Sequence, residues 1–160
     1  LTRDEVITRA RSVVNAGCHY GLGKGGMHPT EAWPWNQDRL CDCSGFAMWG
    51  MGQPRFDGTK WWDTSAIHAD AEGPHARFQE VPWNEVLPGD VLVYPDHDGK
   101  QGHIGIVAST QNGGPRTVVH CSRGNEVISG DAIQETSYGV FKLNNAIVAR
   151  FLELTEAPIA

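Results

Sequence analysis

The sequence predicts an α+β fold, with N-terminal helices packed on a central antiparallel β-sheet. Three observations carry this. Thr2-Arg3-Asp4-Glu5 opens the chain as a helix capping box. Between residues 20 and 41, closely spaced glycines and prolines forbid long regular structure. From residue 77 onward, short β-branched runs alternate with turn signals, so that helices come first and strands second. The chain has 160 residues, 40% of them hydrophobic, which suits one domain over residues 1–160 with one core.

Each element has its own signal. After the capping box, Val6, Ala10, Val13, Val14 and Gly17 fall at helical spacing, predicting a helix to about Asn15. Residues 20–41 read as loop. Asp42 or a neighbour caps a second helix over Cys43 to about Met51, ended by Gly52. Phe46, Ala47, Trp49 and Met51 supply its buried face. A short helix is expected from Thr64 to about Ala71. The strands expected are Arg77–Val81, Val91–Tyr94 after the Pro88-Gly89-Asp90 turn, His103–Ala108, Thr117–Cys121 and Ala146–Leu152. Asn112-Gly113-Gly114-Pro115 is the turn between the third and fourth of these.

Composition excludes several classes of partner. The net charge is −6 and the thirteen basic residues are scattered, which argues against nucleic acid and anionic surfaces. No apolar run approaches the roughly 20 residues of a membrane span, so no membrane insertion is expected. No signal peptide is visible, and the opening Leu1 leads us to expect a processed or trimmed chain. A monomer is expected. Four cysteines, Cys18, Cys41, Cys43 and Cys121, are too few for a disulfide scaffold.

Asp42-Cys43-Ser44-Gly45-Phe46 is the chemically informative stretch. It sets a cysteine at a helix start behind a glycine-rich loop, where the helix dipole favours the reactive thiolate. Gly45 is expected to let this helix approach the sheet. His103 opens a strand whose alternation places His103, Gly105 and Val107 on one face. Glycine and valine leave room for a partner there, and His120, at the end of the next strand, can sit beside His103 across the hairpin. A cysteine followed by two such histidines suggests a nucleophile, a base and a group that fixes the base's tautomer.

Four motifs in order now carry a resemblance: Asp42-Cys43-Ser44-Gly45-Phe46, Leu87-Pro88-Gly89-Asp90-Val91, Gly102-His103-Ile104-Gly105-Ile106-Val107 and Val118-Val119-His120. Together with Tyr20 and its following glycines, they resemble the NlpC-type family of papain-like cysteine peptidases, which cut bacterial peptidoglycan. The similarity covers about residues 18–121. It implies a papain-like fold, Cys43 as nucleophile, His103 as general base and His120 as the orienting third residue. It further implies an oxyanion hole from the Cys43 N–H with Tyr20 near it, and substrate contacts from Tyr20, Asp42 and Ser44. The bond expected to be cut joins D-glutamate to the diamino acid of a stem peptide; muramoyl–L-alanine is the alternative. No cofactor or metal is implied. The expected partner is peptidoglycan, met at the cell wall or periplasm, by a phage lysin, a delivered toxin with its immunity protein, or a trimmed wall hydrolase.

Rival readings attach to the same residues. Cys41 and Cys43 with His103, His120 and Cys121 offer enough ligands for zinc, which would make the chain a noncatalytic metal- or ligand-binding module, although no paired Cys-x-x-Cys knuckle exists. A lipid acyltransferase relative would run histidine before cysteine, the reverse of the order here. Cys18, Cys41 and Cys121 read as small buried hydrophobes. Trp33, Trp35, Trp61 and Trp62 read as core or rim packers, with a stacking wall for sugar or peptide as the sharper alternative. His28 and His68 flank the expected groove. An unperturbed histidine base predicts a rate that falls below about pH 6.

Overall fold

The structure, a computed structural model, describes residues 1–155. The last five residues of the expected 1–160 domain lie outside them. The chain order is α1 (Arg3–Ser12), β1 (His19–Tyr20), β2 (Leu40–Cys41), α2 (Cys43–Gly50), α3 (Thr64–Glu72), β3 (Phe78–Val81), a single 3-10 turn (Trp83–Glu85), β4 (Val91–Tyr94), β5 (His103–Gln111), β6 (Gly114–Cys121), α4 (Arg123–Ser129), β7 (Ile133–Ser137), α5 (Gly139–Leu143) and β8 (Ile147–Phe151). Six strands form one antiparallel sheet in the order β3-β8-β4-β5-β6-β7. The short β1 and β2 pair in parallel apart from it.

Local signals explain most boundaries. Thr2 Oγ1 accepts from the Glu5 N–H at 3.1 Å, and the Thr2 N–H donates to Glu5 Oε2 at 2.7 Å, closing the capping box. The helix ends at Ser12, short of Asn15, which stands at φ +59° and cannot continue it. Asp42 caps α2 through Gly45 N–H at 2.9 Å, and Gly52 at φ +75° follows its end. Asn112 and Gly113, both at positive φ, make the β5–β6 turn, so Gly114 and Pro115 already belong to β6. β1, β2, α4, β7 and α5 are not among the elements expected from sequence; the first two bracket the segment read as loop.

The sheet divides the interior. On one face, Ile104, Ile106, Val119 and Cys121 pack with α1, α2 and α3 in the main core. All eight residues of α2 are buried, which makes it the central helix. On the other face, Val107, Val118, Tyr94 and Phe141 of α5 form a second cluster. β5 therefore carries two environments on alternate residues, and His103 faces the second.

Candidate active site

Cys43 is the first residue of α2, and its placement begins with the loop before it. Gly26 sits at φ +76°, and a Cβ there would lie 2.5 Å from the backbone of Gly45. Only glycine permits this close approach. Gly45 itself faces Gly25 O and the guanidinium of Arg55, not the sheet as expected. The helical glycine that meets the sheet is Gly50, beside Ile106.

Arg55 locks this junction. It is 1% exposed. Its Nη1 donates to Asp42 Oδ1 at 2.6 Å and to Lys24 O at 3.0 Å; its Nη2 donates to Asp42 Oδ2 at 3.1 Å and Ser44 Oγ at 2.9 Å. Asp42 also accepts from the N–H groups of Gly23 and Gly45. Two of the three side chains expected to contact substrate, Asp42 and Ser44, are thus mostly buried and hydrogen-bonded within the protein, and with Tyr20 they line the Cys43 end of the groove. A buried carboxylate requires such compensation. Asp42 alone could have signalled a hidden cation; nothing marks Arg55 as that cation in sequence.

The sheet side is built around the two histidines. His103 Nε2 lies 2.7 Å from His120 Nδ1, and His120 Nε2 lies 2.7 Å from Thr136 Oγ1 on β7. Gly105 gives them space: a Cβ there would stand 3.2 Å from His120 Cβ and 2.9 Å from the Phe141 ring. His103 stacks on Phe141 at 5.1 Å between ring centroids, with planes 13° apart. Sequence reasoning found the two histidines and the room beside them, and missed Thr136 and Phe141.

Hydrogen-bond donors can be assigned along this chain. Thr136 Oγ1 donates to Ser137 O at 3.0 Å, so it accepts from His120 Nε2–H. His120 Nδ1 is then the acceptor for His103 Nε2–H. His103 Nδ1 is left with an open lone pair. The Cys43 sulfur meets the backbone N–H groups of Ile104, the residue after His103, and of Ser44. Among the described residues, no acceptor engages the Cys43 N–H.

Burial decides the charge state. It pushes the Cys43 thiol up to about 12, with the Asp42 carboxylate adding to the effect and the Ile104 and Ser44 N–H groups opposing it. It also pulls His103 down to about 3, with His120 contributing, and His120 to about 4. The resting site therefore holds a thiol and a neutral imidazole, where the helix start alone suggested a thiolate; desolvation outweighs the dipole. A neutral imidazole with an open lone pair can accept a proton.

The site opens into a groove with two lobes. Cys43, Arg55 and Trp61 line a cavity of about 220 Å³, and His103, His120 and Thr136 line one of about 570 Å³. Tyr20, Gln101 and Gly102 border both, and Tyr20 Oη donates to Gln101 Oε1 at 3.4 Å. Burial, with Cys43 and Asp42 nearby, raises the Tyr20 phenol, so it keeps its proton.

The remaining candidates lie elsewhere. Cys18, Cys41 and Cys121 are free thiols in the main core, with Cys121 Sγ donating to Cys41 O at 3.3 Å. Cys41 shares the main core with Cys43 but does not line the groove, and among the described residues no group of three or more metal-ligating side chains is assembled. His68 pairs with Glu72 at 3.0 Å, while His28 lines a separate cavity with Trp33 and Trp35. Trp62 is buried in the core, so the four tryptophans form no single wall. Among the described residues no helix is long and apolar enough to cross a membrane.

The family model of the CHAP domain matches residues 31–125, a stretch that contains Cys43, His103 and His120. A Staphylococcus aureus protein described as similar to a lipoprotein of the NLP/P60 family shares the fold with a TM-score of 0.54 at 15% identity, over 94% of this chain and 41% of that one. The structure of Ly7917 gives a TM-score of 0.49 at 14% identity, over 93% of this chain and 61% of that one. This chain thus spans about two fifths of the staphylococcal protein. No curated protein matches it.

Proposed function

The chain belongs to the CHAP-domain family of cysteine/histidine-dependent amidohydrolases and peptidases, and from that premise we propose that it hydrolyses peptidoglycan stem peptides at the bond between D-glutamate and the diamino acid. The NlpC-type resemblance read from its motifs agrees with this family match and with the NLP/P60 neighbour's fold.

One observation supports the reading above the others: the Thr136–His120–His103 relay leaves an imidazole lone pair beside the residue contacted by the Cys43 sulfur. In the proposed reaction, Sγ of Cys43 attacks the amide carbonyl carbon as its proton passes to His103 Nδ1. The oxyanion takes the open Cys43 N–H, with the protonated Tyr20 hydroxyl nearby. The proton on His103 then goes to the leaving amine, whose C–N bond breaks to give a thioester on Cys43. Water, deprotonated by His103, hydrolyses the thioester and restores the thiol. His120 and Thr136 hold His103 in the one tautomer that can begin this cycle. Asp42, Arg55 and Ser44 shape the loop that frames the thiol. Location at the cell wall and an immunity partner, if the chain is a delivered toxin, belong to the same proposal.

The test is a digest of purified peptidoglycan by the protein and by Cys43→Ala, read by mass spectrometry. New D-glutamyl carboxyl ends from the intact protein alone support the reading. Ends at muramoyl–L-alanine would replace it with an amidase, and absence of new ends would refute both.

A further inference from the structure

A third cavity, of about 660 Å³, lies outside the groove just described. Its volume is in the roughly 300–1,000 Å³ range of small-molecule sites. It shares no lining residue with either lobe at Cys43 and the histidines. Trp33 and Trp35 form its aromatic walls, and His28, Glu31, Asn36 and Gln37 supply its polar edge.

The segment that carries it is irregular yet firmly braced. Residues 21–39 contain no helix or strand. An unstructured loop of that length in a compact domain is uncommon and usually functional. Gly26 N–H donates to Pro34 O at 2.7 Å, fixing the middle of the loop beside the start of α2. Glu31 O accepts from Trp49 Nε1 at 2.9 Å, and Arg9 donates to Pro29 O. Arg39 donates to Ala16 O at 2.9 Å and lies 5.4 Å over the Trp35 ring. Trp35 packs partly on the core. In contrast, Trp33 remains 47% exposed, and the side chains of His28, Glu31, Asn36 and Gln37 have no hydrogen-bond partner among the described residues. A braced backbone presenting an indole and unengaged polar groups is preorganised for a ligand.

We propose that this cavity is a carbohydrate subsite that holds an N-acetylhexosamine unit of a glycan strand. A pyranose ring has an apolar C–H face for an indole and an edge of hydroxyls for amide and carboxylate partners. The lining favours an uncharged ligand, because Glu31 and Arg39 balance. The same loop reaches the catalytic groove at its other end, where Leu22 and Gly23 line the Cys43 lobe. A strand gripped at Trp33 would therefore present its stem peptide from a fixed side. The choice of sugar rests on the peptidoglycan reading above.

The experiment titrates a tetramer of N-acetylglucosamine into ¹⁵N-labelled Cys43→Ala protein and follows the indole N–H signals. The expected result is saturable shifts at Trp33 and Trp35, weakened roughly tenfold in Trp33→Ala. An Asn36→Ala/Gln37→Ala variant, altered only at exposed residues, should weaken binding while the remaining spectrum stays folded. Trp33→Ala, with Cys43 intact, should hydrolyse a sugar-free stem peptide normally but digest whole sacculi more slowly. Absence of indole shifts overturns the subsite, as does a sugar-free stem peptide that shifts the same two indoles. Glycan binding without any stem-peptide hydrolysis by the intact protein refutes the catalytic reading and leaves the subsite standing; hydrolysis without glycan binding does the reverse.

Discussion

Two buried polar assemblies flank Cys43, and they are built on opposite principles. On the loop side, Asp42 and Arg55 form a charged pair whose carboxylate oxygens are both engaged, within a ring of backbone groups and Ser44. On the sheet side, His103, His120 and Thr136 form an uncharged chain that leaves one lone pair open. A buried charged pair with both carboxylate oxygens engaged fixes a shape, because separating the partners leaves an uncompensated charge. An uncharged chain with one open end can accept a proton and return it. The first assembly places the thiol; in the proposed reaction the second drives it.

Removing the base should separate the two most widely. His103→Ala is expected to lower kcat/KM on a soluble stem peptide by about 10³-fold while the protein stays folded; a loss under about tenfold would place the base elsewhere. Arg55→Met should act through stability instead, costing about 3–5 kcal/mol in urea unfolding by stranding Asp42 in the interior. Adding Asp42→Asn should recover part of that loss, whereas an additive double variant would deny the coupling.

pH probes the uncharged assembly as a unit. In the folded chain the histidines titrate near 3 and near 4, against roughly 6.5 when unfolded. Between about pH 6.5 and 3 the unfolded chain therefore binds more protons than the native one. This contribution to stability is complete above about pH 6.5 and is lost as pH falls through that window. Melting temperature should fall over that range, and less steeply in His120→Gln. The same shift moves the acid limb of activity below the pH 6 expected from an unperturbed histidine, so an activity midpoint at 6.5 would show that His103 is solvated in the working enzyme.

The smallest effect is expected at the end of the relay. Thr136→Val removes the acceptor that sets the His120 tautomer and should lower kcat about tenfold with little change in KM; Thr136→Ser should restore most of it. An equal loss in both variants would reduce Thr136 to a packing residue.

The contrast also explains what the sequence disclosed. Asp42 as cap, Cys43 at a helix start, and His103 with His120 on the roomy side of Gly105 all follow from local rules: capping preference, strand alternation and the missing Cβ. The side chains that complete each assembly obey no local rule. Arg55 follows α2 by five positions in an irregular stretch, and only folding brings it under Asp42. Thr136 lies in β7, whose half-polar pattern did not read as a strand until β6 paired with it. Phe141 sits on the five-residue α5, too short to be stable without the sheet beneath it. Gly45 does permit a close approach, but to the distant Gly25–Gly26 stretch of the loop and not to the sheet, a neighbour that no local rule discloses.

The central claim, that Cys43 carries the acyl group, is tested most directly by mixing the protein with a soluble stem peptide, quenching with acid within milliseconds, and mapping the added mass. The account predicts an acyl adduct on the fragment containing Cys43 in the intact protein, and neither adduct nor turnover in Cys43→Ala. An adduct mapped to Cys18, Cys41 or Cys121, or hydrolysis by Cys43→Ala at the rate of the intact protein, would contradict it.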